Sequence, residues 1–273
     1  MRTRLRSWPF IVGAALSACG FVFVYLFFVR TSVGQQIDES AFVGADRPQG
    51  ELIRFAQDFL GLLPIVAIVA GLVVALPIVF IRRNLAVFLT AAGSAIALNV
   101  SVQLLKEVLP RPHFGVDSGL ANSLPSGHTA IAGSVFLLIF LVSWPALRPT
   151  VAVLGSLFVI VTGAFTLVEQ WHRPSDVIAA MFMISFWGCC AGILCSILPL
   201  PDSPQRQPAL VAPLLWIALG AAGVSLVAFV VTFVSMRSEF QHLLVAYVGG
   251  VAAIVSAGLL LAVFASKLYR QLS

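Results

Sequence analysis

Charge is what this chain has least of. Lys, Arg, Asp and Glu together supply 10% of its 273 residues, against 60% hydrophobic, and a water-soluble surface is not built from so little charge. Cysteine is also scarce: Cys19, Cys189, Cys190 and Cys195 are the only four, and all fall inside apolar runs, so a disulfide framework is not implied. Beyond the four histidines the polar segments show no compact ligand cluster, and neither a metal nor another cofactor is expected. Internal repeats and low-complexity tracts are missing too.

What the chain does have is long apolar runs. A run of about 20 such residues crosses a bilayer, and eight are present, at 8–29, 59–81, 85–105, 128–147, 149–168, 177–198, 209–236 and 243–265. They predict an all-α fold, a polytopic transmembrane helical bundle. Arg82-Arg83-Asn84 separates the second run from the third, because two arginines at mid-bilayer are costly. Leu16-Ser17-Ala18-Cys19 looks like a lipoprotein processing site, but the run continues through Val29, so a retained first span is expected.

Lys and Arg set the orientation, since cytoplasmic loops carry the positive excess. With both termini inside, nine of the 16 bases are cytoplasmic, and ten of the 11 acids fall outside with all four histidines. The basic balance thus follows topology, and nucleic acid is not an expected partner. A six-span core is expected over 1–198, a cytoplasmic linker over 199–209 and two accessory helices over 210–273. Two outer connections are long. The first, 30–58, reads as a solvated loop with an Arg47-Pro48-Gln49-Gly50 turn and an interfacial helix over 50–59.

The second outer connection ends in Pro125-Ser126-Gly127-His128, and His172-Arg173-Pro174-Ser175-Asp176 opens the sixth run. Both strings stand at outward helix starts, where free backbone amides and a small glycine suit phosphate, with Ser126 or Ser123 as the cap. Asp176, about one turn from His172, can fix the imidazole tautomer and leave the other nitrogen as nucleophile. Either string alone is equally an ordinary turn or a helix-start acid. Together, with Lys106 and Arg111 alongside, they describe a cationic phosphate cradle.

These residues resemble the type 2 phosphatidic acid phosphatases, which share their site with vanadium haloperoxidases. The resemblance covers roughly 85–198. Pro125 to His128 match the family's Pro-Ser-Gly-His, whose histidine protonates the leaving group, and His172 with Asp176 match the second half of its Ser-Arg, five residues, His, three residues, Asp motif. The resemblance therefore implies His172 as nucleophile, Asp176 as its orienter and His128 as acid. Lys106, Arg111, Ser126, Gly127 and Arg173 are the expected phosphate-binding residues.

Two departures stand out. The family's Ser-Arg falls here on Phe165-Thr166, so one arginine is missing, and Arg173 is the candidate to replace it. Counted strictly from Lys106, the family's Arg-Pro lands on His113-Phe114, whereas Arg111-Pro112 comes two residues early. Glu169 is expected to face water, since it would repel phosphate. The implied activity is metal-independent hydrolysis of a lipid phosphate such as phosphatidic acid or a polyprenyl diphosphate, through phosphohistidine. The alternative is a catalytically impaired member that binds phospholipid or protein. A transporter is disfavoured because no other intramembrane charge marks a pathway.

Overall fold

A computed structural model describes residues 2–45, 51–116, 122–198, 211–236 and 242–272. Among these the chain is helical throughout: α1 (Arg2–Val24), continued by a π-helical turn (Tyr25–Val29), α2 (Ser32–Val43), α3 (Glu51–Arg82), α4 (Leu85–Val108), α5 (Gly127–Val142), α6 (Arg148–Val168), α7 (Pro174–Ile197), α8 (Val211–Ser235) and α9 (Leu243–Tyr269), with a last 3-10 turn (Arg270–Leu272). Seven of these helices are long and apolar enough to cross a membrane. The Arg47–Gly50 turn and the 199–209 linker lie outside the described residues.

The Arg82–Asn84 break is present: Arg83 adopts a positive φ of 50°, and the Asn84 side chain caps α4 by accepting from Val87 N at 3.1 Å. Helix α1 runs unbroken through Cys19.

Three expectations change. The 50–59 segment is not a separate interfacial helix; it forms the first turns of the continuous α3. The connection before it is not simply a solvated loop either, because α2 turns Gln35, Asp38 and Glu39 inward, each under 7% exposed. Thr31 starts α2, its hydroxyl accepting from Gly34 N at 3.0 Å. The fourth span also ends sooner than expected. Ser143-Trp144-Pro145 leaves helical geometry, and α5 has 16 residues, roughly 24 Å, short of a hydrocarbon core of about 30 Å. Eleven of its residues are buried, so other helices rather than lipid surround most of it.

Helix α7 is the other central element, apolar on all sides as a surrounded helix requires. Close approach fixes its neighbours: a Cβ on Gly192 would meet the Phe10 ring of α1 at 2.0 Å, and one on Gly133 of α5 would meet Ile184 at 2.2 Å. Polar bonds join other pairs. Asn99 of α4 donates to Ser134 Oγ of α5 at 2.6 Å, and Ser256 of α9 donates to the Ala218 carbonyl of α8 at 2.9 Å. By contrast α3 leaves a large apolar face open, with Phe80 84% exposed, as a lipid-facing helix does. Because α6 returns between them, α5 and α7 start at the same end of the bundle.

Candidate active site

The two helix starts are tied to each other. Ser126 N donates to the Asp176 carbonyl at 2.9 Å, joining the first turn of α5 to that of α7. Ser126 is the α5 cap, its Oγ accepting from Thr129 N at 3.4 Å and from the Thr129 hydroxyl at 2.9 Å. This corrects one expectation: the buried Ser126 amide is already engaged, and the amides without an intrahelical acceptor are those of the next residues, Gly127 and His128. Gly127 lies beside Lys106, since a Cβ there would stand 3.5 Å from the Lys106 amine. A side chain at Gly127 would crowd the space between helix start and ammonium.

His172 is 7% exposed. Its Nδ1 faces Asp176 Oδ2 at 3.4 Å, which leaves Nε2 for chemistry. Asp176 Oδ2 also accepts from the Ser123 hydroxyl at 2.5 Å and from Arg173 N at 3.0 Å. The carboxylate is therefore held by two donors while it faces the imidazole. His172 N donates to the Thr166 carbonyl at 3.1 Å, so the chain leaving α6 sets the position of the histidine. His128 lies within electrostatic reach of both His172 and Lys106, and its ring packs on Trp171 with centroids 5.2 Å apart.

Arg111 comes in despite its early position in the sequence. The carbonyls on either side of it are fastened: Pro110 accepts from the Tyr25 hydroxyl at 3.0 Å, and Pro112 from Gln35 Nε2 at 2.9 Å. So fixed, Arg111 feels the charges of Arg173, Asp176, Asp38 and Glu39. Burial first, and then Arg173, push its guanidinium below its ordinary value, though not far enough to discharge an arginine. His113 and Phe114, at the strict spacing, are exposed.

Arg173 is fully buried. Its Nε donates to Glu39 at 2.7 Å, an Nη1 contact reaches Ser123 Oγ at 3.4 Å, and its guanidinium lies 5.3 Å from the Phe42 ring centroid. Beside it, Ser175 donates to Asp38 from its amide at 3.0 Å and from its hydroxyl at 2.5 Å. Burial raises Asp38 from an ordinary 3.8 to about 7, with the Asp176 charge adding to the rise.

Thr166, where the resemblance asks for arginine, is buried with its hydroxyl donating to the Gly163 carbonyl at 2.8 Å. Glu169 departs from expectation: it is half-buried, and its Oε1 is sealed from solvent without a hydrogen bond. The sequence reading missed the support from Ser123, Gln35, Asp38 and Glu39. The available signal was three polar residues within a segment otherwise able to form a helix.

Eleven buried side-chain polar atoms among the described residues make no hydrogen bond. Six belong to this cluster: Gln35 Oε1, all three nitrogens of Arg111, Arg173 Nη2 and Asp176 Oδ1. The four arginine nitrogens among them are buried donors, costly unless an acceptor joins them, and an anion is the acceptor that suits two guanidinium groups. Among the described residues no group of three or more His, Cys, Asp or Glu is placed to hold a metal.

No curated protein and no solved structure matches this chain. Residues 13–199, more than half of its length, match the sequence profile of the PAP2 superfamily. With its helical bundle and its paired helix starts, the chain belongs to the PAP2 superfamily.

Proposed function

We propose that this chain is a membrane lipid phosphatase that removes a terminal phosphate from a lipid phosphate or polyprenyl diphosphate through a phosphohistidine intermediate. Family membership supports phosphatase-type activity in general. The observation that carries the finer reading is the set of donors around His172: Arg111 and Arg173 offer four buried nitrogens without acceptors, next to an imidazole held by a carboxylate.

Nε2 of His172 attacks phosphorus, and the P–O bond to the lipid breaks. His128 gives its proton to the departing oxygen and then, as a base, takes one from water. That water cleaves the P–N bond, releasing phosphate and restoring both histidines. Developing charge on the phosphoryl oxygens falls to Lys106, Arg111, Arg173 and the amides of Gly127 and His128, and such preorganised charge supplies most of the acceleration. The Arg111 nitrogens are sealed from solvent, so phosphate reaches them as neighbouring side chains yield. By the distribution of bases, this end of the bundle faces out of the cytoplasm and both termini lie within it.

Thr166 favours the second reading, an impaired member that binds phospholipid. Purified protein with chelator present separates the two. Phosphate release from phosphatidic acid or a polyprenyl diphosphate, abolished in His172→Ala, is the expected result. No release from a broad panel of lipid phosphates sinks the phosphatase reading.

A further inference from the structure

We infer that the opposite end of the bundle carries a second anion site, built on Arg148 and Arg82, for a phosphate group such as that of an anionic lipid. Arg148 opens α6 and is 4% exposed. Its Nε and Nη1 are buried and make no hydrogen bond. Its guanidinium lies 5.7 Å from the Tyr269 ring centroid, and the Tyr269 hydroxyl is anchored on the Gly188 carbonyl at 2.6 Å.

Arg82 approaches from the end of α3. Its Nη1 donates to the carbonyls of Val142 and Ser143, at 2.6 and 2.9 Å, where the short α5 stops. It also lies 5.9 Å from the Trp144 ring centroid, and the Trp144 carbonyl accepts from Arg148 N at 3.2 Å. One turn thus gathers both arginines, close enough for the Arg82 charge to be felt at Arg148.

No acid opposes them among the described residues. The described Asp and Glu residues stand on α2, the start of α3, the last turn of α4, the end of α6 and the start of α7, all at the histidine end. Two like charges with one deeply buried are unfavourable unless an anion lies between them. Guanidinium groups beside tyrosine and tryptophan at a helix-bundle end suit a phosphate diester at the membrane interface. The same chemistry accepts phosphate from solution, and Asp202 lies outside the described residues.

The test is thermal unfolding of the full chain in neutral detergent, titrated with phosphatidylglycerol, phosphatidylcholine or inorganic phosphate. Phosphatidylglycerol should raise the midpoint temperature, and R148Q should need at least fivefold more of it for the same shift. R148K should retain part of the response. An Arg148-dependent shift with inorganic phosphate and none with phosphatidylglycerol assigns the site to soluble phosphate. Equal shifts in wild type and R148Q overturn the site. So does a D202N variant that loses as much stability as R148Q with no further loss in the double variant, since Asp202 would then be the anion. If R148Q fails to fold, phosphatidylglycerol retained by native mass spectrometry in wild type and R82Q decides: loss in R82Q supports the site, and equal retention overturns it.

Discussion

Arg173 donates its Nε to Glu39 across 134 positions of sequence, at 2.7 Å and away from solvent. The bond ties the start of α7 to the short helix α2, with four helices between them in the chain. It also fixes which nitrogens of Arg173 are left for a ligand.

Removing one partner of such a pair leaves a buried charge, with a cost of about 3 to 5 kcal/mol. Glu39→Gln should therefore lower the unfolding temperature and raise KM in the phosphatase assay. Adding Arg173→Gln to it should recover stability while activity stays low. Recovery of both would show that Arg173 does not contact substrate.

Arg111 has no hydrogen bond to lose. Arg111→Ala should leave unfolding temperature unchanged or higher, yet cut kcat/KM by about 100-fold or more, as loss of one preorganised donor does. Inorganic phosphate, which should stabilise wild type, should protect the variant less. Equal protection counts against Arg111 as a phosphate ligand.

Ser123 sits between Asp176 and Arg173, donating to the first and meeting the second. Ser123→Ala releases Asp176 Oδ2 from its shortest bond. A fall in kcat with KM nearly unchanged is expected from steady-state rates, because the imidazole loses its fixed partner while phosphate contacts remain. A change in KM alone would place Ser123 in binding.

Asp38 gives a pH dependence with a definite sign. Its folded value, about 7, lies above the ordinary 3.8, so the native state keeps a proton that the unfolded chain gives up. Stability should then fall as pH rises from about 4, with the full loss reached above 7. Asp176 and Arg173 of α7 and Arg111 of the neighbouring segment face this carboxyl. Asp38→Asn should flatten that arm of an unfolding-temperature profile between pH 4 and 8; an identical profile rules out Asp38 as its source.

The parts of this site that were legible are local ones. His172 and Asp176 are four residues apart at a helix start, and Pro125 to His128 form one cap, so spacing alone places them. Most helix lengths followed from apolar runs, but α3 begins at Glu51, well before its run, and Ser143 and Pro145 end α5 inside a run that hydropathy reads as continuous. Asp38 and Glu39 were not legible, because their partners are more than 130 positions away and their segment reads as polar connection. Arg111 was legible as a candidate cation near Lys106, but the way it is held was not. Its place depends on Tyr25 and Gln35 holding the carbonyls beside it, contacts that no motif spacing encodes.

The short helix α2 also sets an order of events during synthesis. Asp38 and Glu39 leave the ribosome well before Ser175 and Arg173, and α3 to α6 are inserted in the interval. Until then the two carboxylates lack these partners, and burying them unpaired is costly. Only the first turn of α7 supplies them, so the site is completed after the helices between are made.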